Sequence, residues 1–430
     1  LFFDRPDRGE TAVLVHIDLE SEREQGDPLE FEELVLSAGV IPAIYIKGSR
    51  KSPDAGHFVG SGKLDEIAAA VEAHEAEVVL FNHSLSPSQE RNLEKRFSCR
   101  VLDRTGVILD IFGQRARSHE GKLQVELAQL EHTVTRLTRG WTHLDRQKGG
   151  IGLRGAGETQ LELDQRMVRQ RIKNINASLV KVRNQREQGR RSRKRADIPT
   201  VSLVGYTNAG KSSLFNSLAG AHTYAADQLF ATLDSTLRRV PVPNFGPAIF
   251  ADTVGFISHL PHKLVAAFRA TLEETIQANL LLHIIDVSNE QHEFCTEQVE
   301  EVLAEIGADD VPCLRVYNKI DLLEPREPFI ERNEDGKPIR VWVSAKTGQG
   351  IDLLLSAISE LLGHDVVERD LRLQPEQGRL RARLYEKGAV QHENIDSEGL
   401  VCLTIRLPRH DLDRILVEEG IAPDSPQAGA

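Results

Sequence analysis

The stretch that most limits what this chain can become is TVSLVGYTNAGKSSLFNSL, residues 200–218. A short apolar, β-forming run ends at Gly205, and Gly205 to Ser212 then spell G-x-x-x-x-G-K-S in front of an amphipathic helical pattern. Strand, glycine-bearing loop and helix is the context in which that spacing works. Unpaired loop amides and the positive end of the helix dipole converge there, so the segment can wrap a chain of phosphates. Tyr206, Thr207, Asn208, Ala209 and Gly210 form the loop, and Lys211 places a cation between β- and γ-phosphates. The Ser212 hydroxyl, followed by Ser213, can ligate Mg²⁺.

Four further segments follow in chain order. FATLD at 230–234 supplies Phe230, Ala231, Thr232, Leu233 and Asp234, and the Thr232 hydroxyl can bind the same Mg²⁺. DTVGF at 252–256 ends the apolar run AIFA. Asp252 can hold the ion through water, and Thr253 and Val254 lead to Gly255, whose amide can sense a γ-phosphate. NKID at 318–321 follows the apolar run PCLRVY. The Asp321 carboxylate can accept from both N1–H and the 2-amino group of guanine, donors that adenine lacks, so ATP would leave a buried carboxylate unsatisfied. Asn318 is placed to brace the loop, the Lys319 stem to pack over the base, and Ile320 lies between them and Asp321. SAK at 344–346 (Ser344, Ala345, Lys346) follows RVWV and offers the Ala345 amide to guanine O6.

Five elements in this order predict a Ras-like P-loop domain over 199–364 that hydrolyses GTP to GDP and phosphate, with Mg²⁺ as cofactor. Lys211, Thr232, Gly255 and Asn208 are the candidate catalytic residues; Ser212, Thr232 and Asp252 are the candidate metal ligands. In Ras-like proteins a glutamine after the glycine of D-x-x-G orients the attacking water. Here Phe256 follows Gly255 and cannot hydrogen-bond a water, so intrinsic hydrolysis is expected to be slow. The position of Asn208 resembles that of an asparagine in potassium-activated GTPases, which makes K⁺ a second candidate cation. Simple bracing of the loop is the competing role.

Upstream, Leu123, Leu127, Leu130, Val134, Leu137, Trp141 and Leu144 recur at alternating spacings of four and three. Leu161, Val168, Ile172, Ile175, Leu179 and Val182 continue the pattern beyond a glycine-rich stretch, GGIGLRGAGETQ at 149–160. Two heptad seams joined by one loop predict an antiparallel helical hairpin over 113–195. This coiled-coil arm would have about 20 residues per helix and reach about 30 Å. Gly150, Gly152 and Gly155 spell G-x-G-x-x-G, but a dinucleotide fingerprint must follow a strand and open a helix. Here it follows a helix, which argues against NAD. Gly149, Gly150, Gly152, Gly155 and Gly157 stand beside Arg146, Lys148 and Arg154, more glycine than a plain turn needs. Close backbone approach and phosphate-binding cations predict a probe for RNA at the tip.

The formal net charge of −12 argues against a general nucleic-acid binder, yet residues 166–195 hold twelve Lys/Arg and one acid, Glu187. Such segregation predicts a dedicated polyanion contact, with Arg169, Lys173, Arg183 and Arg186 along the arm as candidates. The basic stretch REQGRRSRKRADIP is expected to break the helix and link to the next domain. Residues 1–112 alternate apolar runs (AVLVHI, IPAIYIKG, EVVLFNH) with amphipathic ones (PLEFEELVLSAG, GKLDEIAAAVEAHEA, SPSQERNLEKRF) and predict a parallel α/β domain. GSGK at 60–63 reads as a turn before a helix, since it lacks the full phosphate-loop spacing. Residues 365–430 predict a small α+β domain, with strands at GRLRARLYE and LVCLTIRLP, a helix at HDLDRILVEE and an unstructured end. Cys99, Cys295, Cys313 and Cys402 are far apart, which predicts reduced, buried thiols and no zinc site. No apolar run reaches the roughly 20 residues of a membrane span, the N-terminus lacks a signal-peptide pattern, and a cytoplasmic monomer is expected. Because the chain starts at Leu1, an initiator Met or a short leader is expected to be missing.

GGIGLRGAGETQLE between two helices, followed by GYTNAGKS, FATLD, DTVGF, NKID and SAK, resembles the HflX family of translational GTPases. The resemblance covers essentially the whole chain, and the tip motif is its most family-specific part. Ser213 stands where Thr is common and Ala156 where Pro is common, the latter expected to loosen the tip. The resemblance implies a GTPase that binds the large (50S) ribosomal subunit and its 23S rRNA. It further implies an arm reaching toward the peptidyl-transferase region and dissociation of stalled or idle 70S ribosomes, notably under heat stress. ATP hydrolysis by the N-terminal domain is credited to family members, but no complete ATP motif is visible there. A ribosome-assembly GTPase and a GTP-switched regulator of a protein partner remain as rivals.

Overall fold

The computed structural model describes residues 9–19, 27–136, 160–195, 198–220, 229–243, 245–258, 269–323, 327–363, 366–374, 377–386, 388–395 and 399–408, with a few more near the C-terminus. The chain divides into two compact units: 1–240 with 247–329 and 340–351, and 241–246 with 330–339 and 352–430.

The first unit opens with strands β1 (Thr11–Leu19), β2 (Ile41–Arg50), β3 (Val78–Phe81) and β4 (Arg100–Asp103). They form a sheet in the order β2-β1-β3-β4 in which every neighbouring pair is parallel. Strand β1, TAVLVHIDL, is buried on both faces, as a continuous apolar run in an inner parallel strand should be. Helices α1 (Pro28–Ser37), α2 (Ser61–Ala73) and α3 (Pro87–Phe97) make the connections, and α4 (Arg104–Arg115) follows β4. Their starts are written locally. Asp27 accepts from the Leu29 amide before Pro28, Ser86 and Gln89 form a reciprocal capping box, and Asp103 accepts from the Gly106 amide. Gly60 opens α2, and Lys63 donates to the Lys47 carbonyl, so GSGK is a helix start, as expected. Strand β4, four residues long, and the 12-residue helix α4 are additions to the expected alternation.

Helices α5 (His119–Arg136) and α6 (Gln160–Arg195) form the arm, and Arg171 pairs with Glu126 across them. Of the anticipated seam, Leu127 and Ile175 are buried and Leu123, Leu130, Val134, Val168, Ile172, Leu179 and Val182 half-buried, while Arg169 and Lys173 are exposed. Leu137, Trp141 and Leu144 lie outside the described residues, as do the tip from Gly149 to Thr159 and the side chain of Leu161. The expected helix break at REQGRRSRKR is corrected: α6 continues through it to Arg195, 36 residues in all and about 54 Å long. One glycine costs only about 1 kcal/mol and arginine is a good helix former, so nothing in this stretch stops the helix before Arg195.

The nucleotide-motif region contributes β5 (Thr200–Gly205), α7 (Lys211–Ala219), β6 (Thr236–Val242), β7 (Gly246–Asp252), α8 (Arg269–Ile276), β8 (Leu280–Asp286), α9 (His292–Ile306), β9 (Cys313–Asn318), β10 (Ile330–Arg332), β11 (Pro338–Trp342) and α10 (Ile351–Leu362). Strands lie side by side as β11-β9-β8-β5-β7-β6, parallel from β11 through β7. The ends of β5, β7 and β9 bring the first, third and fourth motifs to one edge, where open parallel sheets bind ligands.

In the second unit β12 (Val366–Leu373), β13 (Val390–Ile395) and β14 (Val401–Pro408) form an antiparallel sheet in the order β12-β14-β13, with α11 (Gly378–Glu386) between the first two. The strand expected at GRLRARLYE is thus a helix. Its alternating pattern mimics a strand, but Leu380 and Leu384 are one helical turn apart and both are buried in the sheet's core. Arg381 meanwhile pairs with Glu393. Of the stretch expected as a helix at HDLDRILVEE, Leu412, Ile415 and Leu416 are described, helical and buried in the same core.

Candidate nucleotide site

The loop after β5 is shaped by steric need. Gly210 has φ 91°, and a Cβ there would meet Asn318 Nδ2 at 2.3 Å. At Gly255 a Cβ would sit 2.9 Å from both Lys211 Nζ and Thr207 Cγ2, so only glycine lets the third motif pass so close to the loop. Lys211 is buried, and its ammonium donates to the carbonyls of Gly205 at 3.0 Å and Tyr206 at 2.6 Å. Burial pushes its pKa down to about 8, with the Asp252 carboxylate pulling the other way.

The candidate metal ligands converge. Ser212 Oγ lies 2.8 Å from Thr232 Oγ1 and 2.8 Å from Asp252 Oδ2, and Thr232 Oγ1 donates to the same carboxylate oxygen at 3.0 Å. Asp252 is buried, which pushes its pKa up, and its Oδ1 has no hydrogen-bond partner. A buried, half-satisfied carboxylate beside two hydroxyls is an all-oxygen donor set that fits a hard divalent cation such as Mg²⁺.

The guanine-side motifs are tied to the phosphate side by one residue. Asn318 donates from Nδ2 to the Ala209 carbonyl at 2.8 Å and accepts at Oδ1 from the Ala345 amide at 3.0 Å. The Ala345 amide, expected to face guanine O6, is therefore engaged by Asn318 in this structure. Ser344 Oγ donates to Asp321 Oδ1 at 2.6 Å and orients that carboxylate. The Lys319 ammonium pairs with Asp286 at 2.7 Å, which fixes the stem in place.

A cavity of about 380 Å³ joins these parts. Thr207, Asn208, Gly210, Lys211, Ser212, Ser213, Phe230, Ala231, Thr232, Thr253, Gly255, Asn318, Lys319, Asp321, Ala345 and Lys346 line it, together with Leu322, which sequence reasoning missed. Its only signal was an exposed apolar side chain just after NKID. The remaining candidates stand behind the wall or face elsewhere. Gly205, Ala209, Val254, Ile320 and Ser344 are buried supports, and Asp252 reaches the site through Ser212 and Thr232. Tyr206 points to the first domain: its hydroxyl donates to Glu30 and accepts from the Ser258 amide at 2.6 Å. Glu30 in turn pairs with Arg104 at 2.7 Å. Leu233 is buried in a core shared with α4 and α5, and Asp234 turns away from the pocket to the start of α5. Asn208 is exposed with φ 60°, the left-handed conformation that asparagine tolerates. Phe256 is 2% exposed, packed among Val204, Leu281 and Val299, and brings no polar atom to the cavity.

On the arm, Arg169, Lys173 and Arg183 are exposed, and Arg183 lies 3.0 Å from Glu273. Arg146, Lys148, Gly149, Gly150, Gly152, Arg154, Gly155, Gly157 and the side chain of Arg186 lie outside the described residues. All four cysteines are unbridged, but none is buried as expected: Cys313 is exposed and the other three are half-buried. Among the described residues no helix is long and apolar enough to cross a membrane.

A parallel sheet that gathers a phosphate loop, two hydroxyls with a buried aspartate, and the Asp321 carboxylate of NKID around one cavity defines a P-loop GTPase. Comparison with known proteins agrees. Family models match end to end: "GTP-binding GTPase N-terminal" over 27–113, "GTP-binding GTPase Middle Region" over 115–193, "50S ribosome-binding GTPase" over 200–319 and "HflX C-terminal domain" over 330–426. The chain is 59% identical to GTPase HflX of Escherichia coli over 97% of its length and 98% of that protein. It is 44% identical to GTPase HflX of Magnetococcus marinus over 90% of its length and 89% of that protein. A solved structure, the SsGBP and GDP complex, is 26% identical with a TM-score of 0.47, covering 82% of this chain and 98% of that one. The chain belongs to the HflX family of GTPases, and it is an enzyme that hydrolyses GTP.

Proposed function

We propose that this GTPase binds the large ribosomal subunit through its basic arm and separates idle or stalled 70S ribosomes, with hydrolysis stimulated by the ribosome. The observation that carries this reading is the asymmetry of α6: its apolar seam turns inward while Arg169 and Lys173 face solvent along the same helix. An exposed cationic ridge is suited to rRNA phosphates, and the glycine-rich tip that follows from the sequence is suited to close backbone approach. In the nucleotide site, Ser212 and Thr232 would ligate Mg²⁺ directly and Asp252 through water. The ion would neutralise phosphate charge during transfer to water. Lys211, already held by two loop carbonyls, would stabilise the β- and γ-phosphates, and the Gly255 amide would meet the γ-phosphate.

The burial of Phe256 leaves the water-orienting role of glutamine unfilled, so free enzyme should turn over slowly. Purified 50S or 70S particles should raise the rate strongly; an unchanged rate in K⁺ buffer would refute stimulation by the ribosome. K⁺ at the exposed Asn208 is a second part of the proposal, and equal rates in K⁺ and Na⁺ would reduce Asn208 to a loop brace. We place the four functional regions at 1–112, 113–195, 199–364 and 365–430, and the protein in the cytoplasm as a monomer.

The deciding experiment is sucrose-gradient sedimentation of 70S ribosomes with GTP and with a non-hydrolysable analogue. Splitting with the analogue supports the proposal. Binding only to precursor particles would instead mark an assembly factor, and no sedimentation with either would mark a regulator of a protein partner. Replacing residues 149–157 by a short turn should abolish splitting while nucleotide affinity of the isolated protein stays unchanged. A tip-deleted protein that splits as well as its parent would make those glycines a plain turn.

A further inference from the structure

The segment carrying Thr232 is not a free loop. Leu229, Phe230 and Leu233 are buried in one core with Phe31 of α1, Phe112 of α4, and Val125 and Ala128 of α5. Phe230 meets Phe112 edge to face with ring centroids 4.7 Å apart, and the Leu229 amide donates to Ser37 Oγ at 3.1 Å. Phe230 adopts φ 55°, a conformation that bulky residues avoid unless the surroundings enforce it. Two residues past Thr232, the Asp234 carboxylate accepts three hydrogen bonds from the entry to the arm: the Arg117 amide at 2.9 Å, the Ser118 amide at 2.7 Å and Ser118 Oγ at 2.5 Å. Ser118 itself caps α5, accepting from the Gly121 amide at 2.8 Å.

Gly121 shows how closely this joint is fitted. A Cβ there would lie 2.1 Å from Asp234 Oδ1. An anion held against the first turn of an 18-residue helix also gains from the helix dipole.

We infer that Asp234 is a positioning residue that latches the nucleotide-sensing segment to the base of the arm, so that the hold on Thr232 and the seating of α5 rise and fall together. The inference rests on the cation site proposed above, in which Thr232 is a ligand. Thr232 and Asp234 are separated only by Leu233, whose side chain is buried. A shift that frees Thr232 must therefore drag Asp234 from the Ser118 cap, and loss of the cap loosens Thr232. In GTPases this segment is ordered by the γ-phosphate and its cation and released on hydrolysis. Here that release would be felt at the first turn of the arm.

Three variants of the full chain test this without ribosomes: Thr232→Ala, Asp234→Ala and Gly121→Ala. Gly121→Ala is the most telling, because alanine favours the helix and harms the latch by crowding its two partners, the Asp234 carboxylate and, at 3.1 Å, Ser118 Oγ. All three should weaken binding of a non-hydrolysable GTP analogue with Mg²⁺ by about 5- to 30-fold, the effect of losing a cap or a comparable contact. GDP affinity should stay within about twofold. Hydrogen exchange across residues 119–126 should be slower with the analogue than with GDP in the parent, and that difference should vanish in Asp234→Ala and Gly121→Ala. If Thr232→Ala changes the GTP-to-GDP ratio but the other two do not, the cation site stands and the latch is overturned. If Thr232→Ala leaves the ratio unchanged, the cation site fails and the latch with it. Equal loss of both nucleotides in Asp234→Ala would mark a structural role and also overturn the inference.

Discussion

The nucleotide pocket and the arm both present cations, yet they are built on opposite terms. In the pocket many polar side chains are committed in advance. Asn318 spans two loops, Ser344 holds Asp321, Asp286 holds Lys319, and loop carbonyls hold Lys211. Along α6, Arg169 and Lys173 stand in solvent on a helix whose packing is decided by its other face. Preset geometry gives discrimination, because a wrong ligand leaves buried groups unpaired. An exposed row of charge gives reach and attraction, which salt screens and which tolerates small misplacement. One protein thus holds a selective site and a forgiving surface, and the contrast can be tested from each side.

The largest effect is expected at the most committed residue. Asp321→Asn should lower GTP affinity by about 100-fold or more, since a carboxylate placed to accept from two guanine donors becomes an amide that can accept from only one and turns a donor toward the other. Xanthosine triphosphate should bind better to the variant than to the parent, because xanthine offers an acceptor to the new amide. Titration with both nucleotides checks this, and unchanged GTP affinity would remove Asp321 from base recognition.

A smaller, continuous effect should follow pH. Phosphates favour the charged form of Lys211, whose pKa burial has lowered to about 8 in the free protein. Binding above that pH must therefore take up a proton, and nucleotide affinity should fall by about tenfold per pH unit beyond it. The free protein should behave oppositely. Between about 8 and the ordinary value of 10.5 the unfolded chain holds the proton that the folded one has lost, so stability contributed by Lys211 rises with pH across that window. Calorimetry in buffers of different ionisation enthalpy measures the uptake, and a flat affinity from pH 7 to 9.5 would refute it.

The mildest effect is expected on the arm. Arg169→Glu with Lys173→Glu should weaken binding to 50S subunits several-fold at low salt, reduce the slope of log affinity against log salt by about one per lost phosphate contact, and leave GTP affinity unchanged. An unchanged slope would mean that those cations touch no phosphate. An altered GTP affinity would mean that the exposed face of α6 acts on the pocket as well as on the ribosome.

Much of the pocket was legible before any coordinates, because each motif packs its chemistry into three to eight consecutive residues whose backbone path is set locally. Thr232, Asp252 and Ser212 could be paired on paper for that reason. The errors have local causes as well. GRLRARLYE carried a false period of two, and REQGRRSRKR looked like a breaker although only its glycine opposes a helix. Asp234 was grouped with the nucleotide residues by adjacency, whereas the backbone after Leu233 turns its carboxylate to Ser118.

What the chain determined by itself is the set of short-range devices: the phosphate loop, the helix caps, the apolar seam of the arm and the placing of the Asp321 carboxylate at the cavity. Each depends on neighbours a few residues away, where spacing and geometry are nearly the same thing. The tertiary structure alone decided which devices meet. Asn318 reaches Ala209 across 109 positions, Asp234 reaches Ser118 across 116, and Glu30 reaches the Tyr206 hydroxyl across 176. Such contacts are selected by how whole helices and sheets pack, and no periodicity records them. A single buried polar pair has too little sequence signal to announce its partner, although once formed it is costly to leave unmade.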